Sequence, residues 1–89
     1  MTAVASLTVR YFAGARAAAG VDSEVLELPP SGQWTVDDAL REMSDRHGPQ
    51  LAKILAACSF LLDEIAVRST AAPLPDGAVL DVLPPFAGG

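Results

Sequence analysis

Residues 35–49, TVDDALREMSDRHGP, carry a helix start, an apolar stripe and a helix stop in one uninterrupted stretch. Thr35 can cap the first turn, Asp37 and Asp38 sit where the helix dipole favours anions, and Val36, Ala39, Leu40 and Met43 recur on one face. Arg46 and His47 fall at the negative end, with His47 read as a dipole-compensating surface residue. Gly48 can take the left-handed cap, and Pro49 blocks continuation. Asp37 to Arg41 and Glu42 to Arg46 are pairs four residues apart that support the same helix. A stripe of this kind must be buried against something, and the segments on either side say what.

Those segments switch to period two. In SLTVRYF, residues 6–12, Leu7, Val9 and Tyr11 point one way while Thr8, Arg10 and Phe12 point the other, as in a half-buried strand. AGARAAAG then predicts a short helical turn ended by Gly20. SEVLEL predicts a second strand with Leu26 and Leu28 inward and Glu27 outward, stopped by Pro29 and Pro30. After the main helix, Pro49 can open a second, shorter helix through about Ala57, burying Leu51, Ile54 and Leu55. The last third returns to strands: SFLL, a tight Asp63-Glu64 turn, IAVR, a loop, and AVLDVL after the turn at Pro75 to Gly77. Strands at both ends with one well-capped helix between them predict an α+β roll, a mixed sheet with that helix packed across it.

At 89 residues the chain is one domain, long enough to bury roughly 60 to 65% of its unfolded surface. No internal repeat or interdomain linker interrupts it. The longest uncharged stretch with helical character, ILAACSFLL, is too short to span a bilayer, and the N-terminus lacks the basic-then-apolar pattern of a signal peptide, so a cytoplasmic protein is expected. A net charge of −5 repels phosphate backbones and anionic lipid, which argues against nucleic acid and membrane as partners.

Little in the chain can do chemistry by itself. One histidine and one cysteine supply neither a nucleophile with its base nor a zinc set, so no metal site is expected. The single cysteine, Cys58, rules out an internal disulfide and reads as a small buried hydrophobe. Neither glycine-rich phosphate-binding pattern occurs. Asp37 and Asp38 are adjacent on a helix and diverge, which fits a solvated first turn.

The end of the chain, PPFAGG, is the remaining candidate. Pro84 and Pro85 stop the last strand after Val82 and Leu83, and residues 86–89 can then reach about 13 Å beyond it. No side chain from Val82 onward is charged. Glycine lacks a Cβ, so a narrow channel can close around Gly88 and Gly89. The terminal carboxyl group has an unperturbed pKa of about 3.5, so it is ionised at neutral pH and can attack an activated phosphorus.

VRYFAGARAAAG, the PDG turn and DVLPPFAGG together resemble the ubiquitin-like sulfur carriers, above all the small subunit of molybdopterin synthase. That resemblance implies a β-grasp fold over residues 1–83 and an extended tail over 84–89. It implies a role in which an activating enzyme of the ubiquitin-activating type, an adenylyltransferase using ATP and Mg, adenylates the carboxylate of Gly89. A sulfur donor protein then converts the acyl-adenylate to a thiocarboxylate, and the large synthase subunit takes the sulfur. The carrier itself is expected to hold no cofactor. In this scheme Gly89 carries the chemistry, Gly88 and Ala87 thread the channel, and Pro85 and Phe86 face the partner at its mouth, packing of Phe86 against its own last strand being the other reading of that ring. Similar carriers often have a smaller aliphatic residue where this chain has Phe86. Thiamine-pathway carriers look shorter in the helical middle, carriers for cysteine synthesis share the terminal pair, and a ubiquitin-like modifier or a plain binding module are the other readings of the same end.

Overall fold

The computed structural model describes residues 5–28 and 33–85. Eight elements follow in order: β1 (Ala5–Tyr11), α1 (Ala13–Ala19), β2 (Ser23–Leu28), α2 (Val36–His47), α3 (Pro49–Leu55), β3 (Ser59–Leu62), β4 (Ile65–Ala66) and β5 (Ala78–Leu83). The strands form one mixed sheet in the order β2-β1-β5-β3-β4, in which β1 and β5 run parallel at the centre and every other pair is antiparallel.

Alternation along β1 is as the sequence predicts. Leu7, Val9 and Tyr11 are buried, and the register pairs them with Ala78, Leu80 and Val82 of β5, so the two central strands contribute one continuous apolar face. Leu26 and Leu28 extend that face onto β2, and Phe60 extends it onto β3. The helices cover it with Ala15, Val36, Ala39, Met43, Leu51 and Leu55. Each large side chain buried in this way contributes roughly 1.5–3 kcal/mol relative to exposure. The result is the expected α+β roll.

The start of α2 is satisfied from two directions. Thr35 and Asp38 form a reciprocal capping box, Thr35 Oγ1 accepting from the Asp38 amide and Asp38 accepting from the Thr35 amide at 2.9 Å. The first two helical amides, of Val36 and Asp37, donate instead to the carbonyls of Ala72 and Thr70 at 3.0 and 2.8 Å. The loop before β5 thus supplies acceptors for donors that a helix leaves unpaired. Both expected ion pairs form along α2: Arg41 to Asp37 at 3.1 Å and Arg46 to Glu42 at 3.7 Å.

Several local expectations change. Gly48 has a positive φ of 91° but a ψ of −172°, outside the left-handed helical region. Pro49 begins α3 at once, and the residue before a proline is driven to extended ψ. The stop predicted at Gly20 does take the left-handed form, with φ 80°. α3 ends at Leu55 and not near Ala57, because the amides of Ala57 and Cys58 tighten onto the carbonyls of Ile54 and Leu55. Cys58 is half-buried, its thiol donating to the Ile54 carbonyl, and burial raises its pKa. Leu40 and Ile54 lie at the margin of the core. Only two residues of IAVR join the sheet.

Candidate functional site

β5 is a central strand, paired with β1 on one side and β3 on the other up to Leu83. Pro84 and Pro85 follow outside the sheet, as the missing amide of proline requires. The tail therefore leaves from the middle of the sheet's end, where its base is held by both neighbouring strands. Of the predicted site residues, Pro85 is described and exposed; Phe86, Ala87, Gly88 and Gly89 lie outside the described residues.

Beside this exit runs an apolar groove of about 380 Å³. It is lined by Phe12 and Gly14, by Ile54 of α3 and Ala57 just beyond it, and by Pro84 and Pro85. Gly14 permits the close packing behind it: a Cβ there would stand 3.1 Å from the Ile54 Cδ1 methyl. Phe12 follows β1 and caps α1 with extended backbone, its amide donating to the Val82 carbonyl at 3.3 Å. The next residue, Ala13, has φ 49°, a conformation that L-residues adopt at a cost. Strain of this kind persists only where the surroundings enforce it, here the turn from β1 into α1 at the groove's edge.

A charged pair stands next to the groove on the sheet face away from the helices. Asp81, only 5% exposed, is the buried charged side chain among the described residues. It accepts from Arg10 Nε at 2.5 Å and from Nη2 at 2.7 Å, a two-point fork that uses both carboxylate oxygens. The hydrogen bond and the charge of Asp81 raise the Arg10 pKa further. The Arg10 guanidinium lies 5.9 Å from the Phe12 ring centre, within cation–π range.

A second polar cluster occupies the helix-covered face at the far side of β1. Glu24 takes its place in the inward alternation with Leu26 and Leu28, paired with Val9. Its carboxylate accepts from the Tyr11 hydroxyl at 2.6 Å and from Arg46 at 3.2 Å, and lies 2.5 Å from His47 Nε2. Burial works to raise the Glu24 pKa, but the bonds from Tyr11, His47 and Arg46 outweigh it and hold the group below the usual carboxylate range. Burial, and then the bond to Glu24, push the Tyr11 phenol well above its ordinary value. The His47 ring meets Tyr11 edge-on at 6.0 Å. His47 is therefore no surface residue: it bonds a carboxylate that also ties β1 to β2.

Neither cluster is visible in the sequence as a motif. By alternation Arg10 and Phe12 fall only on the outward face of a strand, and nothing in AVLDVL marks Asp81 as buried. The signal for Glu24 was its parity with Leu26 and Leu28.

No helix among the described residues is long and apolar enough to cross a membrane. Residues 9–89 match the model of the ThiS family, so the match runs through the final glycine pair. The chain is 32% identical over 84 residues to a molybdopterin synthase sulfur carrier subunit from Chlamydomonas reinhardtii, covering 93% of this chain and 98% of that one. Among solved structures it resembles a Pyrococcus furiosus protein named as a molybdopterin converting factor, subunit 1. There the TM-score is 0.79 at 31% identity, over 92% of this chain and 99% of the other. It also resembles the small archaeal modifier protein 1 of Methanosarcina acetivorans, with TM-score 0.80 at 23% identity over 98% and 99% of the two chains. A further likeness is to a Helicobacter pylori complex of subunits 1 and 2 of the molybdopterin-converting factor, with TM-score 0.65 at 23% identity over 94% and 99%. At 23% identity these last two likenesses establish the shared ubiquitin-like β-grasp fold. The chain belongs to the ThiS family, among the ubiquitin-like sulfur carriers related to the small subunit of molybdopterin synthase.

Proposed function

We propose that this protein is the sulfur-carrier subunit of a molybdopterin synthase and that Gly89 is the group that carries the sulfur. The observation that carries this reading is the likeness to the sulfur carrier subunit over 93% of the chain, joined to a tail that leaves from a central strand and ends in Gly88-Gly89. The protein supplies position and a carboxylate; the reactivity belongs to its partners.

In the proposed cycle the Gly89 carboxylate oxygen attacks the α-phosphorus of ATP in an adenylyltransferase, and pyrophosphate leaves with the electron pair of the broken P–O bond. The mixed anhydride makes AMP a good leaving group. A sulfur donor then delivers sulfur at the hydrosulfide level to the carbonyl carbon, AMP departs, and a thiocarboxylate remains. The large synthase subunit is the acceptor, a pairing supported by the likeness to a carrier solved together with its second subunit. Ala87 and Gly88 would pass through the partner's channel, with Pro85 and Phe86 at its mouth. A cytoplasmic site of action goes with this reading.

The test is intact mass. Incubation with an activating enzyme, ATP, Mg and a sulfur donor should raise the mass by the difference between oxygen and sulfur, and a variant lacking Gly88 and Gly89 should show no change. A lysine adduct bearing a Gly-Gly remnant on other proteins, with no gain of sulfur, would assign the chain to the protein modifiers instead.

A further inference from the structure

We propose that Arg10, locked by Asp81, is a positioning residue for partner docking: it holds the Phe12 ring in place as the wall of the groove at the base of the tail. The proposal rests on the carrier reading above and extends it to residues outside the tail.

Three side chains stand in a row on the helix-free face. Asp81 sits in register with Arg10 across the parallel β1–β5 pair, and both of its oxygens grip one edge of the guanidinium. A two-point bond fixes the plane of an otherwise flexible side chain. Arg10 and Phe12, two residues apart on an extended chain, share that face, and the fixed guanidinium lies 5.9 Å from the ring centre. Phe12 is 40% exposed and lines the groove together with Pro84 and Pro85. Asp81 is thus hidden, while Arg10 and Phe12 are both exposed, so the row leads from a buried carboxylate to two surface side chains beside the tail's exit.

Geometry brings a partner to this row. Residues 86–89 span at most about 13 Å when extended. Any enzyme that works on the Gly89 carboxylate must therefore press its surface against the tail base, covering Phe12 and the guanidinium beside it. A ring held in one orientation loses less freedom on docking than a mobile one.

The experiment measures pyrophosphate release by the activating enzyme as the concentration of carrier is varied. It compares the full-length wild type with Arg10→Lys, Phe12→Leu and the double variant, below their melting temperatures. Lysine keeps the charge but cannot make the fork. The expected result is a KM about fivefold or more higher for each single variant with kcat changed less than about twofold, and a double variant no worse than Phe12→Leu alone. Unchanged KM for Arg10→Lys, a loss confined to kcat, or factors that simply multiply in the double variant would each overturn the proposal. Nuclear magnetic resonance of the free protein gives a second readout: the Arg10 Cδ protons should be shifted upfield by the Phe12 ring and lose that shift in Phe12→Leu, and its absence in the wild type refutes the contact. If the wild type is not adenylated at all, the carrier reading falls and this role with it; if it is, and Arg10→Lys matches it, only this role falls.

Discussion

The Tyr11 hydroxyl donates to Glu24 Oε2 across 2.6 Å, fastening β1 to β2 at the edge of the core. The same oxygen lies 2.5 Å from His47 Nε2, so one carboxylate also anchors the end of α2 to the sheet. Replacing Glu24 by alanine leaves a phenol and an imidazole without their acceptor in a half-buried space. The expected loss is about 1–3 kcal/mol, read from urea unfolding at pH 7. A variant as stable as the wild type would show that the carboxylate does not hold these elements together.

The same group contributes to the acid limb of stability, alongside Asp38, which the bonds from Thr35 also hold low. The Glu24 pKa is depressed in the fold, so its contribution is present above the unfolded value of about 4.3 and disappears as pH falls through the lower folded value. The stability gap between wild type and Glu24→Gln should shrink as pH falls through that interval. Unfolding midpoints taken from pH 6 to pH 3 test this, and a constant gap contradicts it.

At the alkaline end Tyr11 has the opposite sign. Its pKa is raised in the fold, so its contribution is complete below the unfolded value of about 10 and is lost as pH rises beyond it toward the folded value. Tyr11 is the only tyrosine in the chain, so phenolate absorbance reports it directly. Ionisation should appear together with unfolding, and Tyr11→Phe should show a flatter alkaline limb than the wild type. Phenolate forming near pH 10 in a protein that stays folded would refute the assignment.

The β3–β4 turn carries removable strain. Asp63 and Glu64 have φ of 49° and 69°, the positive pair of a two-residue hairpin, where the second position favours glycine. Asp63 has a reason to stay, since its side chain accepts from the Val79 amide at 2.9 Å. Glu64→Gly should therefore stabilise by roughly 1 kcal/mol, visible as a higher midpoint in thermal unfolding. A lower midpoint would mean that the added freedom of the unfolded chain outweighs the relief.

Much of the frame was legible in the chain. The period of SLTVRYF marked which residues of β1 face the core, the stripe and caps of TVDDALREMSDRHGP marked α2, and Pro84 marked where β5 must stop. At Gly48 an adjacent residue decides the outcome, Pro49 overriding the left-handed cap that the glycine would otherwise take. His47 shows the larger limit: its place at a helix end suggested solvent, while its partner Glu24 lies 23 positions earlier.

Strand and helix signals, caps and the uncharged diglycine end depend on residues within a few positions of one another, so the amino-acid order alone determined them. Which strands pair, why Asp81 can be buried in an apolar strand, and how Phe12 comes to flank the tail depend on chain segments about seventy residues apart. Those arrangements form only when burying the sheet's apolar face brings β1 beside β5, and no local pattern encodes that meeting.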